Sequence, residues 1–236
     1  MRTGMSQEQI GEQSWLVQEL EKAKLGDKRL VYRLLHTGQK PADQPGASIP
    51  QACDDWADTK AAYRLFDNKK VTAAAILGAH QARTAERSQG QKRVLAIQDT
   101  TFLNYSHHPE KEGLGPIGSC GALRGLVLHS SLICTETGLP LGIAHQKLWA
   151  RDEQAKQQSS EQRRRIPIEE KESYKWLETM TAVDKLLPDE VEGVHIGDRE
   201  ADIFELFAQA RQLDTELLVR ATQNHKSPHL PPHPPS

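Results

Sequence analysis

The stretch Val194–Phe207, VHIGDREADIFELF, decides the fold. A short β-branched run ends on Asp198, and an amphipathic helical pattern begins at once. The hydrophobic period therefore changes from that of a strand to that of a helix across a single turn. Earlier in the chain, Arg93–Tyr105, RVLAIQDTTFLNY, repeats the first half of this pattern and sets Asp99 at the end of another apolar run. Two carboxylates at the tips of buried strands can hold a divalent metal at a phosphate.

Working outward, VLAIQD is a compact strand, Gly125–Cys134 (GLVLHSSLIC) a second and Leu141–Trp149 (LGIAHQKLW) a third. The turn TETGLP joins the last two, so these strands read as an antiparallel meander. Glu112–Ser119, EGLGPIGS, reads as a flexible connection, and Arg151–Arg165 as a polar one. Glu169–Leu187 is a helix with Trp176, Met180, Val183 and Leu187 in one stripe, ended by Pro188. Strand four is VEGVHIGD, followed by a helix over Arg199–Arg211 and strand five over Thr215–Ala221. The class is α+β or α/β. The order is that of an incomplete ribonuclease-H-like core, a mixed five-stranded sheet with helices.

The first ninety residues read as helices. Leu16, Leu20 and Ala23 share a face, and Gly26 is a stop signal. Asp27 caps a helix bearing Leu30 and Leu34 that Gly38 is expected to end, and QKPADQPGAS is expected to be a loop. Ser48 and Gln51 form a capping box with Pro50 in the first turn. The next helix carries Trp56, Tyr63 and Phe66 and breaks at Asp67 and Asn68; Thr72 caps a last one. The expected domains are residues 1–90, 91–226 and a disordered tail over 227–236. That tail, SPHLPPHPPS, holds five prolines.

The 236 residues carry a net charge of -2, which argues against a uniformly basic nucleic-acid binder. The charge is uneven. Residues 1–93 hold 15 Lys+Arg against 11 Asp+Glu, and residues 94–236 hold 15 against 21. A mildly basic front and an acidic rear suit a DNA-contacting module ahead of a metal-carboxylate module, though statistical scatter gives the same figures. No apolar run is long enough to span a membrane, and the N-terminus has no signal-peptide core. Cys53, Cys120 and Cys134 form no CxxC pair and fit reduced thiols in a cytoplasm.

Asp99 and Asp198 are the candidate metal ligands and catalytic residues; magnesium, which prefers oxygen, needs few protein ligands. Taken singly, Asp99 can instead cap the turn DTT, and Asp198 can be the N-cap of its helix. His107, His108, His129, His145 and His195 show no zinc-ligand spacing and are expected to be structural or exposed. Lys28, Arg29, Lys60 and Arg64 are the candidate DNA contacts, with a solvated helix face as the alternative. Trp56, Tyr63 and Phe66 are expected in the core.

The segments LGDKRL (Leu25–Leu30), SIPQACDDWADTKAAYRLFDN (Ser48–Asn68), IQDTTFLNY (Ile97–Tyr105), GLVLHSSL (Gly125–Leu132), EEKESYKW (Glu169–Trp176) and GDREADIFEL (Gly197–Leu206) resemble the IS-four family of bacterial transposases, the group containing the Tn-five enzyme. The resemblance runs from about Leu25 to Asn224. It implies a helical domain that binds double-stranded DNA at transposon ends, and a catalytic core using a DDE triad with Mg2+ or Mn2+. Asp99 matches the first aspartate and Asp198 the second. It further implies action as a dimer on DNA in a bacterial cytoplasm, at the nucleoid.

The family's third carboxylate, a glutamate in a Y-x-x-R-x-x-x-E helix, is expected beyond Ser236, and Glu200 and Glu205 are poor substitutes for it. The expectation is a truncated transposase that binds DNA without cutting it and leaves one sheet face uncovered. The alternatives are a non-catalytic end-binding inhibitor of the full-length transposase, which would then be its partner, and a pseudogene fragment.

Overall fold

The computed structural model describes residues 14–118, 122–153 and 165–222. The Pro-rich tail, Cys120 and most of the charged stretch after Arg151 lie outside the described residues. The chain divides into two compact units, Met1–Arg87 and Ser88–Ser236.

The first unit is helical: α1 (Trp15–Leu20), α2 (Lys28–Asp43), α3 (Ile49–Ala52), α4 (Trp56–Phe66) and α5 (Ala73–Ser88). Its caps follow from short polar side chains at helix starts. Asp27 accepts from the Arg29 amide at 2.9 Å, Asp55 from the Asp58 amide at 2.8 Å, and Thr72 Oγ1 from the Ala75 amide at 3.1 Å. At α3, Gln51 Oε1 accepts from both the amide (2.9 Å) and the hydroxyl (2.8 Å) of Ser48. The core joins Ala23, Leu25 and Leu34 to Leu65 and Ala79.

Two local expectations are corrected here. Gly38 does not end α2, which continues through Pro41 to Asp43. Gly38 instead admits Leu16, because a Cβ there would lie 3.0 Å from Leu16 Cδ2. The helix ends at Leu20, well before Gly26, whose φ of 75° turns the chain into the Asp27 cap.

The second unit is a mixed sheet: β1 (Arg93–Asn104), β2 (Gly115–Ile117), β3 (Leu123–Thr135), β4 (Pro140–Trp149), β5 (Glu192–Gly197) and β6 (Glu216–Val219). Strand β1 pairs antiparallel with β3 and parallel with β5. Strand β6 continues the parallel half. Strands β2 and β4 both pair with β3, at different stretches of it. The sheet has six strands rather than five, because part of EGLGPIGS pairs with Leu123–Gly125 as β2 instead of forming a loose connection. Helices α6 (Tyr174–Leu186) and α7 (Phe204–Gln212) are each preceded by a 3-10 turn, at Ile168–Glu170 and Arg199–Ala201.

Both helices cover one face, here called inner. Val94, Ala96, Ile133, Leu141 and Ala144 meet Val183, Leu187 and Val191 there. Trp176, Leu177 and Met180 meet Ala201, Leu206 and Ala210, with Leu217 and Val219 packed alongside. On the outer face, the registers align Leu218, Ile196, Ile97, Leu132 and Ile143 in one row across five strands. Neither α6 nor α7 packs on that row. Leu218 is 61% exposed and Ile97 36%.

Gly197 closes β5 where the chain must pass Trp176. A Cβ there would lie 2.5 Å from Ala201 Cβ and 3.1 Å from Trp176 Cζ3. Gly197→Ala is therefore expected to destabilise this unit by about 1–3 kcal/mol, as overpacking does, read by denaturant melt. A wild-type melt from that variant would show that the turn can relax.

Candidate functional site

In the helical unit, the arginines of α5 and Lys22, just after α1, are already committed. Arg83 pairs with Glu86 and Glu21, Arg87 with Glu19, and Lys22 with Glu86. At the other side of the unit, Lys40 pairs with Asp54. Arg29 folds back on Asp27, its Nη2 3.0 Å from Oδ2, and that hydrogen bond holds the Asp27 carboxyl below the ordinary range, helped by the charge of Lys70. Lys28, Lys60 and Arg64 have no ion-pair partner among the described residues.

Helix α4 holds Lys60 and Arg64 on its exposed side. Its buried side is Thr59, Ala62 and Leu65. Trp56, Tyr63 and Phe66 are exposed, at 66%, 50% and 52%, not in the core as expected. Thr59, Ala62 and Leu65, three residues apart, already supply the inward face; Trp56 falls outside it beside Lys60, Tyr63 lies on its margin, and spacing does not explain the exposure of Phe66. Lys60 Nζ sits 5.2 Å from the centroid of the Trp56 ring.

In the sheet unit, Asp99 is not at a strand tip. Strand β1 runs five residues past it and pairs with β3 throughout, Asp99 opposite Ser130. The turn-cap alternative for Asp99 therefore falls. What ends near Asp99 is the pairing of β1 with β5, at Ile97 opposite Ile196. Asp99 lies two residues beyond Ile97 and Asp198 two beyond Ile196. By strand parity Asp99 belongs to the outer face, while Asp198 follows the end of β5 at the start of the next turn, so both carboxylates lie just beyond the same end of the β1–β5 pairing. Both residues are exposed.

Asp198 also caps its turn, Oδ1 accepting from the Glu200 amide at 2.9 Å. Glu200 is held in turn by Lys175 Nζ at 3.0 Å, and that lysine is only 4% exposed and also 3.8 Å from Glu172. Among the described residues, no group of three His, Cys, Asp or Glu side chains could hold a metal. A cavity of about 560 Å³ lies beside Lys175 and is lined by Trp149, Arg151 and Glu172, but its Arg151 is already paired with Glu172 at 2.6 Å.

Directly beneath Asp99, a buried polar chain crosses three strands, a feature that ring-spacing tests for metal sites do not reveal. Gln98 Nε2 donates to His195 Nδ1 at 3.3 Å, His129 Nε2 donates to Gln98 Oε1 at 3.2 Å, and Thr100 Oγ1 donates to His129 Nδ1 at 2.9 Å. This assignment requires both imidazoles to be neutral. Burial supplies that condition, pushing His129 down to about 3 and His195 to about 4; for His129 the charges of Lys175, His145 and Lys147 add to it. The His129 ring meets Trp176 edge-on at 4.6 Å. Gln98 and Thr100, the neighbours of Asp99, are thus both anchored on the inner face.

Residues 12–71 match the family model for transposase DNA-binding. The match covers α1 to α4 and therefore Lys28, Arg29, Lys60 and Arg64. No helix among the described residues is long and apolar enough to cross a membrane.

The two buried histidines also fix a pH dependence. The unfolded chain takes up protons on them below about 6.5, and the folded chain resists until about 3–4. Their contribution is therefore full above about pH 6.5 and is lost as pH falls towards 4. Thermal melts are expected to show Tm falling over that window. His129→Leu together with His195→Leu should flatten the fall, and an unchanged slope would mean the rings are protonated in the fold.

Proposed function

We propose that this chain is a transposase of the IS-four, DDE type: its helical unit binds double-stranded DNA at transposon ends, and its sheet unit carries two of the metal-holding carboxylates. The observation that carries the reading is the transposase DNA-binding match over residues 12–71. Lys28, Lys60 and Arg64, which have no ion-pair partner among the described residues, lie within it. Lys60 and Arg64 contact phosphates, supported by Lys28 and Arg29.

The sheet unit fits the metal half of the reading in part. Asp99 and Asp198 both lie just beyond the end of the β1–β5 pairing, are exposed and present only oxygen donors, which suits Mg2+ or Mn2+. Bound there, such an ion would supply activation of a water and stabilisation of a leaving phosphodiester oxygen. Asp198 keeps Oδ2 for that role while Oδ1 holds the turn. Glu200 does not complete the set, because Lys175 holds it. On the described residues alone, the reading is accordingly DNA binding without cutting. The lack of a third ligand among the described residues favours a second reading, an end-binding inhibitor of a full-length transposase.

Gel-shift titrations over a salt series test this. Lys60→Ala and Arg64→Ala are each expected to weaken binding and to reduce the slope of log affinity against log salt by about one. Asp99→Ala should bind as wild type, and no variant should nick DNA with Mg2+. Binding that ignores Lys60 and Arg64 would sink the DNA face, and Mg2+-dependent nicking lost in Asp99→Ala would sink the non-cutting reading.

A further inference from the structure

The exposed side of α4 is built for more than phosphates. At 3.6 residues per turn, the order around its axis is Tyr63, Trp56, Lys60, Arg64. Rings therefore occupy one edge of the face and cations the other. By the same rotation Asp67, the C-cap, falls between Trp56 and Lys60 at the C-terminal end of the face, and Lys69 and Lys70 follow it closely and offset its charge. Trp56 keeps two-thirds of its surface exposed even with Lys60 over its ring.

An apolar protein partner fits this face poorly, since it would strip water from Lys60 and Arg64 and offer no counter-charge. A polyanion supplies that charge. In a nucleic-acid strand the bases project to one side of the phosphates, which parallels the division between rings and cations here. Within a duplex the base pairs bury their ring faces and only a blunt end leaves one open, so a base that stacks on these rings beside bound phosphates along the strand is an unpaired one.

We infer that α4 is a stacking platform for DNA carrying unpaired bases, with Trp56 and Tyr63 receiving bases and Lys60 and Arg64 the adjoining phosphates. The inference rests on the DNA-binding reading above and deepens it by naming the form of DNA the face prefers.

Fluorescence anisotropy of the full chain with two labelled probes tests it: a blunt duplex, and the same duplex with a thymine flap at one end. Wild type is expected to prefer the flapped probe. Trp56→Ala should lose roughly tenfold in affinity for that probe, as base–aromatic stacking predicts, and leave blunt-duplex binding unchanged. Trp56→Phe should retain most of the preference, and Tyr63→Ala should lose part of it. Lys60→Gln should weaken both probes and reduce the salt slope. Circular dichroism melts separate lost contact from lost fold. Equal losses on both probes in well-folded Trp56→Ala, or none, would overturn the platform while leaving duplex binding intact. A wild-type chain that binds neither probe would overturn the DNA-binding reading and the platform with it.

Discussion

A buried amide with two polar ends must find two partners, and in the sheet unit that constraint falls on Gln98. Its side chain is 3% exposed and bonded at one end to His195 of β5 and at the other to His129 of β3. Shifting either neighbouring strand by one residue would turn its histidine to the outer face and strand the amide without partners, at a cost of about 1–3 kcal/mol for each unsatisfied group. Apolar side chains alone would specify the buried face but tolerate slips by two. The amide couples β3, β1 and β5 to one another in a single register. That register also fixes where the β1–β5 pairing ends, and so where Asp99 and Asp198 leave it.

Trp176 connects the same constraint to the turn after β5. It packs edge-on against His129, and its ring lies where any side chain at position 197 would go. The next residue back, Lys175, holds Glu200 within the turn that Asp198 caps. One short stretch at the start of α6 therefore fixes both the floor of the sheet and the geometry of the DREA turn. The glycine in GDREAD is required by this packing.

Much of this was readable from residue types. Asp27, Ser48 and Thr72 announce helix starts because short polar side chains satisfy free amides locally. The stripe of Trp176, Met180 and Val183 announces the buried side of α6. The misreadings arose where tertiary contact outweighs local preference. Gly38 and Pro41 look like breakers, yet α2 runs through both, and Gly38 serves Leu16. TTFLN extends β1 because β3 pairs with it along its length, which no window around Asp99 displays. The exposure of Trp56 and Tyr63 was hidden because aromatic character suggests burial. Only the competing spacing of Thr59, Ala62 and Leu65 shows which side of α4 faces inward. The polar chain through Gln98 was invisible because its members come from three separated strands.

The charge count of the front half gave a small positive excess and little else. Once side chains are placed, pairing divides that excess. The basic residues of α5 hold Glu19 of α1 and Glu21 just after it, and the electrostatic energy goes into joining these two segments. On α4 the basic residues face water next to aromatic rings. A salt bridge at the surface contributes about 0–1 kcal/mol, so the paired set is modest as a stabiliser. Its larger effect is subtractive: it removes one side of the unit from competition for an anion. A polyanion approaching this unit is drawn to Lys28, Lys60 and Arg64 rather than to the paired arginines of α5, whose charge the carboxylates beside them largely cancel.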